Sequence, residues 1–156
     1  MLRYVAVAAA LAVGATGVYA QNLDVIKQRR EAMRALAGAN TPMFKMTKGD
    51  EPFDLAKVQS SLKTVGEQLT KFKGMFPDNS KEGGGTDVSP KIWSARAEFD
   101  GIIDTYVANL KAAEGTIRDE ASFKEAYPKF NNCGGCHKAT DGFTISLGES
   151  FKKPKP

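Results

Sequence analysis

Leu55, Val58, Leu62, Val65, Leu69, Phe72 and Phe76 follow one another in alternating steps of three and four. Only an α-helix lines such positions up on one stripe, because a turn takes about 3.6 residues. The spacing predicts a helix over about Asp54–Phe76 with an a/d seam sustained through three heptads. A stripe of that length has to be buried against further helices, since most helical stability in proteins comes from packing the apolar face. The rest of the chain supplies partners of the same period.

A first segment, about Asn22–Ala39, opens on Asn22 as an N-cap and puts Ile26, Met33, Leu36, Ala37 and Asn40 on one side. Lys27, Arg30, Glu31 and Arg34 fall largely outside that side. Residues 77–88 contain Pro77, Asp78, Asn79 and the run Gly83-Gly84-Gly85, and read as a long loop. Ser89-Pro90 then restarts a helix with a hydroxyl cap and proline in the first turn. That helix carries Ile92, Trp93, Phe99, Ile102, Ile103, Tyr106, Val107 and Leu110. A fourth begins near Asp119 and carries Phe123, Tyr127 and Phe130. The expected fold is all-α: an antiparallel four-helix bundle in one domain. Pro128 removes a backbone donor, so a kink or restart is expected there, with Lys129–His137 helical beyond it.

The fourth segment leads into Cys133-Gly134-Gly135-Cys136-His137. C-x-x-C-H is the attachment pattern of a c-type haem. Two thiols on one helical turn can each add to a vinyl group, and the next histidine lies under the iron as an axial ligand. The motif holds both cysteines of the chain and its single histidine. A structural zinc site needs four such ligands and has three here. A thioredoxin-like pair belongs near the start of a βαβ unit, and no strand pattern precedes this one. The cofactor expected is therefore one haem c, bound through Cys133 and Cys136 with His137 on the metal.

Residues 1–20 read as a targeting segment. Arg3 gives a positive start, Val5–Val18 is an apolar and small-residue run, and Val18-Tyr19-Ala20 supplies a cleavage site after Ala20. The run is shorter than the ~20 residues of a spanning helix, so no stable membrane association is expected after cleavage. Export combined with c-type attachment points to a bacterial periplasm. The mature chain is then residues 21–156, a length that supports one real core. The formal charge of +4 loses one unit with Arg3, and haem propionates bring it nearer neutral. No basic cluster supports a nucleic-acid partner.

A haem motif at the C-terminal end of an exported four-helix chain resembles the class II cytochromes c, the cytochrome c′ family. The resemblance runs over about Leu23–His137. Besides the haem motif it includes Arg29 one turn before Met33, Phe76-Pro77, and Pro90-Lys91-Ile92-Trp93 followed by Phe99. It implies that Met33 stands at the family's distal position. Low-spin members place a methionine there and ligate iron, whereas high-spin members place a bulky aliphatic and leave it five-coordinate. Read from its helix alone, Met33 is core packing. Met75 sits at a helix end, and Met43 and Met46, beyond Pro42, are expected outside the bundle. The resemblance further implies that Arg29 pairs with a haem propionate, with a solvated arginine as the other reading.

Met33 and His137 as axial ligands imply a periplasmic electron-transfer protein that serves transient redox partners. The alternative is a high-spin cytochrome c′ binding nitric oxide or carbon monoxide. No acid, base or nucleophile constellation suggests an enzyme. Family members commonly form homodimers through their first two helices, so a homodimer is possible here. The chain departs from the family after His137: residues 138–156 form an atypical tail, with Asp141 where a basic residue is expected.

Overall fold

A computed structural model describes residues 2–137, with side chains from Leu23 onward. The tail 138–156, including Asp141, lies outside the described residues. The helices are α1 (Leu2–Lys48), α2 (Leu55–Lys73), α3 (Lys91–Ser94), α4 (Arg96–Thr116), α5 (Glu120–Phe130) and α6 (Cys133–Cys136). A 3-10 turn, Asp78–Ser80, interrupts the loop after α2. The long helices α1, α2, α4 and α5 pack as a ring, with contacts α1–α2, α2–α4, α4–α5 and α1–α5. That is the expected four-helix bundle.

α2 is the seam seen in the sequence. Val58, Leu62, Val65, Leu69 and Phe72 are all buried, and Asp54 caps the helix by accepting from the Lys57 amide at 3.0 Å. Phe76, just past its end, is buried between Phe72 and Phe99, with ring centroids 5.0 Å away in each case. α5 opens on a capping box, in which the Asp119 carboxylate accepts from the Ser122 amide and the Ser122 side chain answers at the Asp119 backbone. Such reciprocal bonds satisfy donors that a helix start leaves open.

Three boundaries differ from the sequence expectation. α1 neither starts at Asn22 nor ends at Ala39; it is helical from Leu2 to Lys48, through Pro42. Proline forfeits one backbone bond there, yet the apolar spacing Ala32, Leu36, Ala39, Met43, Met46 continues past it and packs into the core. Met43 and Met46 are each 1% exposed, inside the bundle rather than outside it. Burying two methionines outweighs the lost bond.

The third predicted helix is divided at Ala95 (φ −122°, ψ 44°). Each piece is anchored to the end of α2. The Trp93 indole donates to the Phe76 carbonyl at 3.2 Å, and Arg96 donates to the Lys73 carbonyl at 2.7 Å. Pro128, in turn, does not interrupt α5, which runs through it to Phe130 with that one backbone donor forfeited. The break falls at Asn131-Asn132 instead, and the helix restarts at Cys133.

The glycine run in the loop has a conformational reason. Gly83, Gly84 and Gly85 all have positive φ, and a Cβ at Gly84 would stand 3.1 Å from Leu23 and 3.3 Å from Ile26. The loop therefore lies close against the middle of α1, at Leu23 and Ile26.

Candidate haem site

α6 is a single turn closed by the His137 amide donating to the Cys133 carbonyl at 3.1 Å. An i, i+3 spacing places Cys133 and Cys136 on the same side of that turn. Both cysteines and His137 are half-buried, and Cys136 packs against the hydrophobic core. Gly135 admits little else: a Cβ there would lie 2.7 Å from the Asn132 side-chain amide, which would have to swing away.

On α1, Arg29 and Met33 are one turn apart and share a face. Met33 is half-buried and packs against the core. Arg29 is 4% exposed, so the solvated reading fails. Its Nη2 donates to the Ser80 carbonyl at 2.8 Å, and its guanidinium carbon sits 4.9 Å from the Phe76 ring centroid. Burial lowers its pKa from the ordinary value. Its Nε and Nη1 are buried without a hydrogen-bond partner among the described residues. A buried cation with two unmet donors is set up to receive an anion, since leaving such donors unpaired is costly.

A polar cluster lies beside Cys133 that the sequence did not single out. The Cys133 thiol donates to Asn131 Oδ1 at 3.2 Å, and the Tyr106 hydroxyl donates to the same oxygen at 3.4 Å. Asn131 Nδ2 donates to the Tyr127 hydroxyl at 3.1 Å, which donates to Asn40 Oδ1 at 3.3 Å. Burial, and secondarily the neighbouring Cys133, pushes the Tyr106 phenol well above its usual pKa. Burial also raises that of Tyr127. The sequence placed these tyrosines only as members of the third and fourth helices. The available signal was the phenol itself, because a buried tyrosine hydroxyl needs a partner. Trp93 and Phe99 form an interhelical cluster with Phe76.

Residues 24–139 match the family model described as Cytochrome C′. The chain belongs to the cytochrome c′ family. It is 39% identical over 134 residues to a cytochrome c′ of Rhodopseudomonas palustris, covering 85% of this chain and 92% of that one. It is also 34% identical to a cytochrome c-556 of the same organism, covering 88% and 95%. A solved structure of cytochrome c′ from Rhodopseudomonas palustris superposes with a TM-score of 0.72 at 38% identity, over 80% of this chain and 98% of that one.

As a member of this family the chain is a c-type cytochrome with one covalent haem c. Such proteins carry electrons or bind gases, and in bacteria they are periplasmic. The residues present fit the cofactor: a thiol pair on one turn beside a histidine, and a buried arginine with two donors to spare. Among the described residues no helix is long and apolar enough to cross a membrane.

Proposed function

We propose that the chain is a low-spin monohaem electron carrier of the periplasm, with Cys133 and Cys136 bearing the haem and His137 and Met33 its axial ligands. The observation that carries this reading is the contrast among methionines. Met43 and Met46 are enclosed in the core and Met75 lies beyond the end of α2. Met33 alone of these is mid-helix, half-buried, and one turn from the unsatisfied Arg29. Haem supplies one-electron iron chemistry when bound.

The chain's own residues would do the rest. The Met33 thioether, a soft ligand, favours the reduced metal and raises the potential. Held by His137 and Met33 together, the iron would keep both ligands in either oxidation state, which would keep reorganisation on electron transfer small and leave no easy site for small gases. Arg29 would neutralise a propionate with Nε and Nη1 while Nη2 stays on Ser80. Cleavage after Ala20 and a single mature domain, 21–156, complete the reading. Redox partners would dock transiently, and pairing with a second copy is compatible with it.

Electron paramagnetic resonance of the oxidised haem protein tests it. The expected wild-type spectrum is low-spin, and Met33→Ala should convert it to high-spin. Relatives named cytochrome c′ and cytochrome c-556 both match over most of the chain, so the gas-binding alternative stands beside this reading. A high-spin wild type that takes up carbon monoxide rapidly when reduced would decide for that alternative.

A further inference from the structure

Asn131 is the extended residue between α5 and α6, with ψ 93°. Its one amide joins the haem motif to α4 through Tyr106, to α5 through Tyr127, and onward to Asn40 on α1. In this network the Tyr127 hydroxyl gives its proton to Asn40 Oδ1 and accepts from Asn131 Nδ2. Oδ1 is left facing Cys133 and Tyr106.

We propose that Asn131 is a positioning residue for thioether formation at Cys133, holding that sulfur in one rotamer through its Oδ1. The inference rests on the reading above that Cys133 bears haem. In the reaction the Cys133 Sγ–H adds across a vinyl double bond. A sulfur–carbon bond forms at the carbon next to the ring, and the thiol proton ends on the terminal carbon. Nothing is oxidised or reduced, and nothing leaves. Beforehand the thiol hydrogen points at Oδ1, so the sulfur lone pairs face away from Asn131. Afterwards the sulfur has no proton, and the Tyr106 hydroxyl, 3.8 Å from Sγ, remains as donor to Oδ1. The half-buried amide oxygen is thus satisfied in both states.

Sequence distance separates the two neighbours. Asn131 is two residues from Cys133, so its contact is available to a chain that has not yet packed. Tyr106 is 27 residues away and arrives only with the bundle. Asn131 therefore acts on attachment, whereas Tyr106 acts on the finished fold.

The test uses the full chain, exported and supplied with haem, as wild type and as Asn131→Ala, Asn131→Asp, Tyr106→Phe and Cys133→Ser. Mass spectrometry of proteolysed product gives the ratio of peptide linked through both sulfurs to peptide linked through Cys136 alone. That ratio is read on peptides, so a poorly folding variant still reports. Asn131→Ala should raise the singly linked share about fivefold, the population change one net hydrogen bond represents, while Asn131→Asp, which keeps the acceptor, stays within about twofold of wild type. Tyr106→Phe should leave the ratio unchanged. A wild-type ratio in Asn131→Ala overturns the proposal, as does Asn131→Asp behaving like alanine. Cys133→Ser is expected to give singly linked product only; the wild-type pattern there would instead overturn the assignment of Cys133 itself.

Discussion

Replacing Arg29 by methionine keeps an unbranched apolar stem and removes the charge, and its cost depends on what the two spare donors do. The variant loses the 2.8 Å bond to the Ser80 carbonyl, about 1.5–3 kcal/mol for an ionised donor. It also loses the cation 4.9 Å from the Phe76 ring centroid, about 1–2 kcal/mol at a desolvated site. Against this, it no longer buries Nε and Nη1 without partners, a relief of about 1–3 kcal/mol for each. Were Arg29 held only by Ser80 and Phe76, these contributions would largely cancel, leaving a change within about 1 kcal/mol. With a haem propionate on Nε and Nη1 the relief disappears and the propionate loses its donors as well, so Arg29→Met should destabilise the haem-loaded protein by at least about 3 kcal/mol. Urea unfolding of the oxidised haem protein, read from midpoint and slope, measures the difference. The same variant should have a lower reduction potential, because reduction adds a negative charge that a nearby cation stabilises. A loss below about 1 kcal/mol in the haem-loaded protein would refute the propionate role and leave Arg29 as a clamp for the loop.

The Tyr106 phenol gives the fold an alkaline limit. Burial holds its proton in the folded chain, while the unfolded chain releases it near the ordinary value of 10.0, so stability falls as pH rises past that point. The expected slope is about 1.4 kcal/mol per pH unit for this group, and Tyr106→Phe should flatten it in urea titrations of the haem protein between about pH 9.5 and 11.5. An unchanged slope would mean the phenol ionises in the folded state. Pro42→Ala should restore a backbone donor within α1, raising stability by about 2 kcal/mol once the stiffer unfolded chain of the proline form is set against it. A lower melting temperature would show instead that proline shapes the path of Met43 and Met46 into the core.

Much of the architecture was open to reading in advance. The three-and-four spacing of Val58 to Phe72 required a helix with one buried face, and Asp119 marked the start of α5, because caps and periodicity are local properties. Boundaries set by competition were not readable. Pro42 signals a stop by its own chemistry, but Met43 and Met46 gain more by entering the bundle than the backbone loses. Ala95 breaks a helix that its neighbours would continue, because Trp93 and Arg96 are each tied to a carbonyl at the end of α2.

At the site the division is the same. Cys133, Cys136 and His137 carry their meaning in their order, since thioether spacing and the axial ligand are fixed within one helical turn. Whether Arg29 is wet or buried turned on Ser80, 51 residues away, and on the Phe76 ring beneath it. The amide of Asn131 became a junction only when α1, α4 and α5 brought Asn40, Tyr106 and Tyr127 around it. Short-range covalent and helical geometry is written residue by residue, so the chain alone specified a haem-bearing helical bundle. Burial and long-range hydrogen bonding exist only between surfaces that have met, and these the packed structure decided.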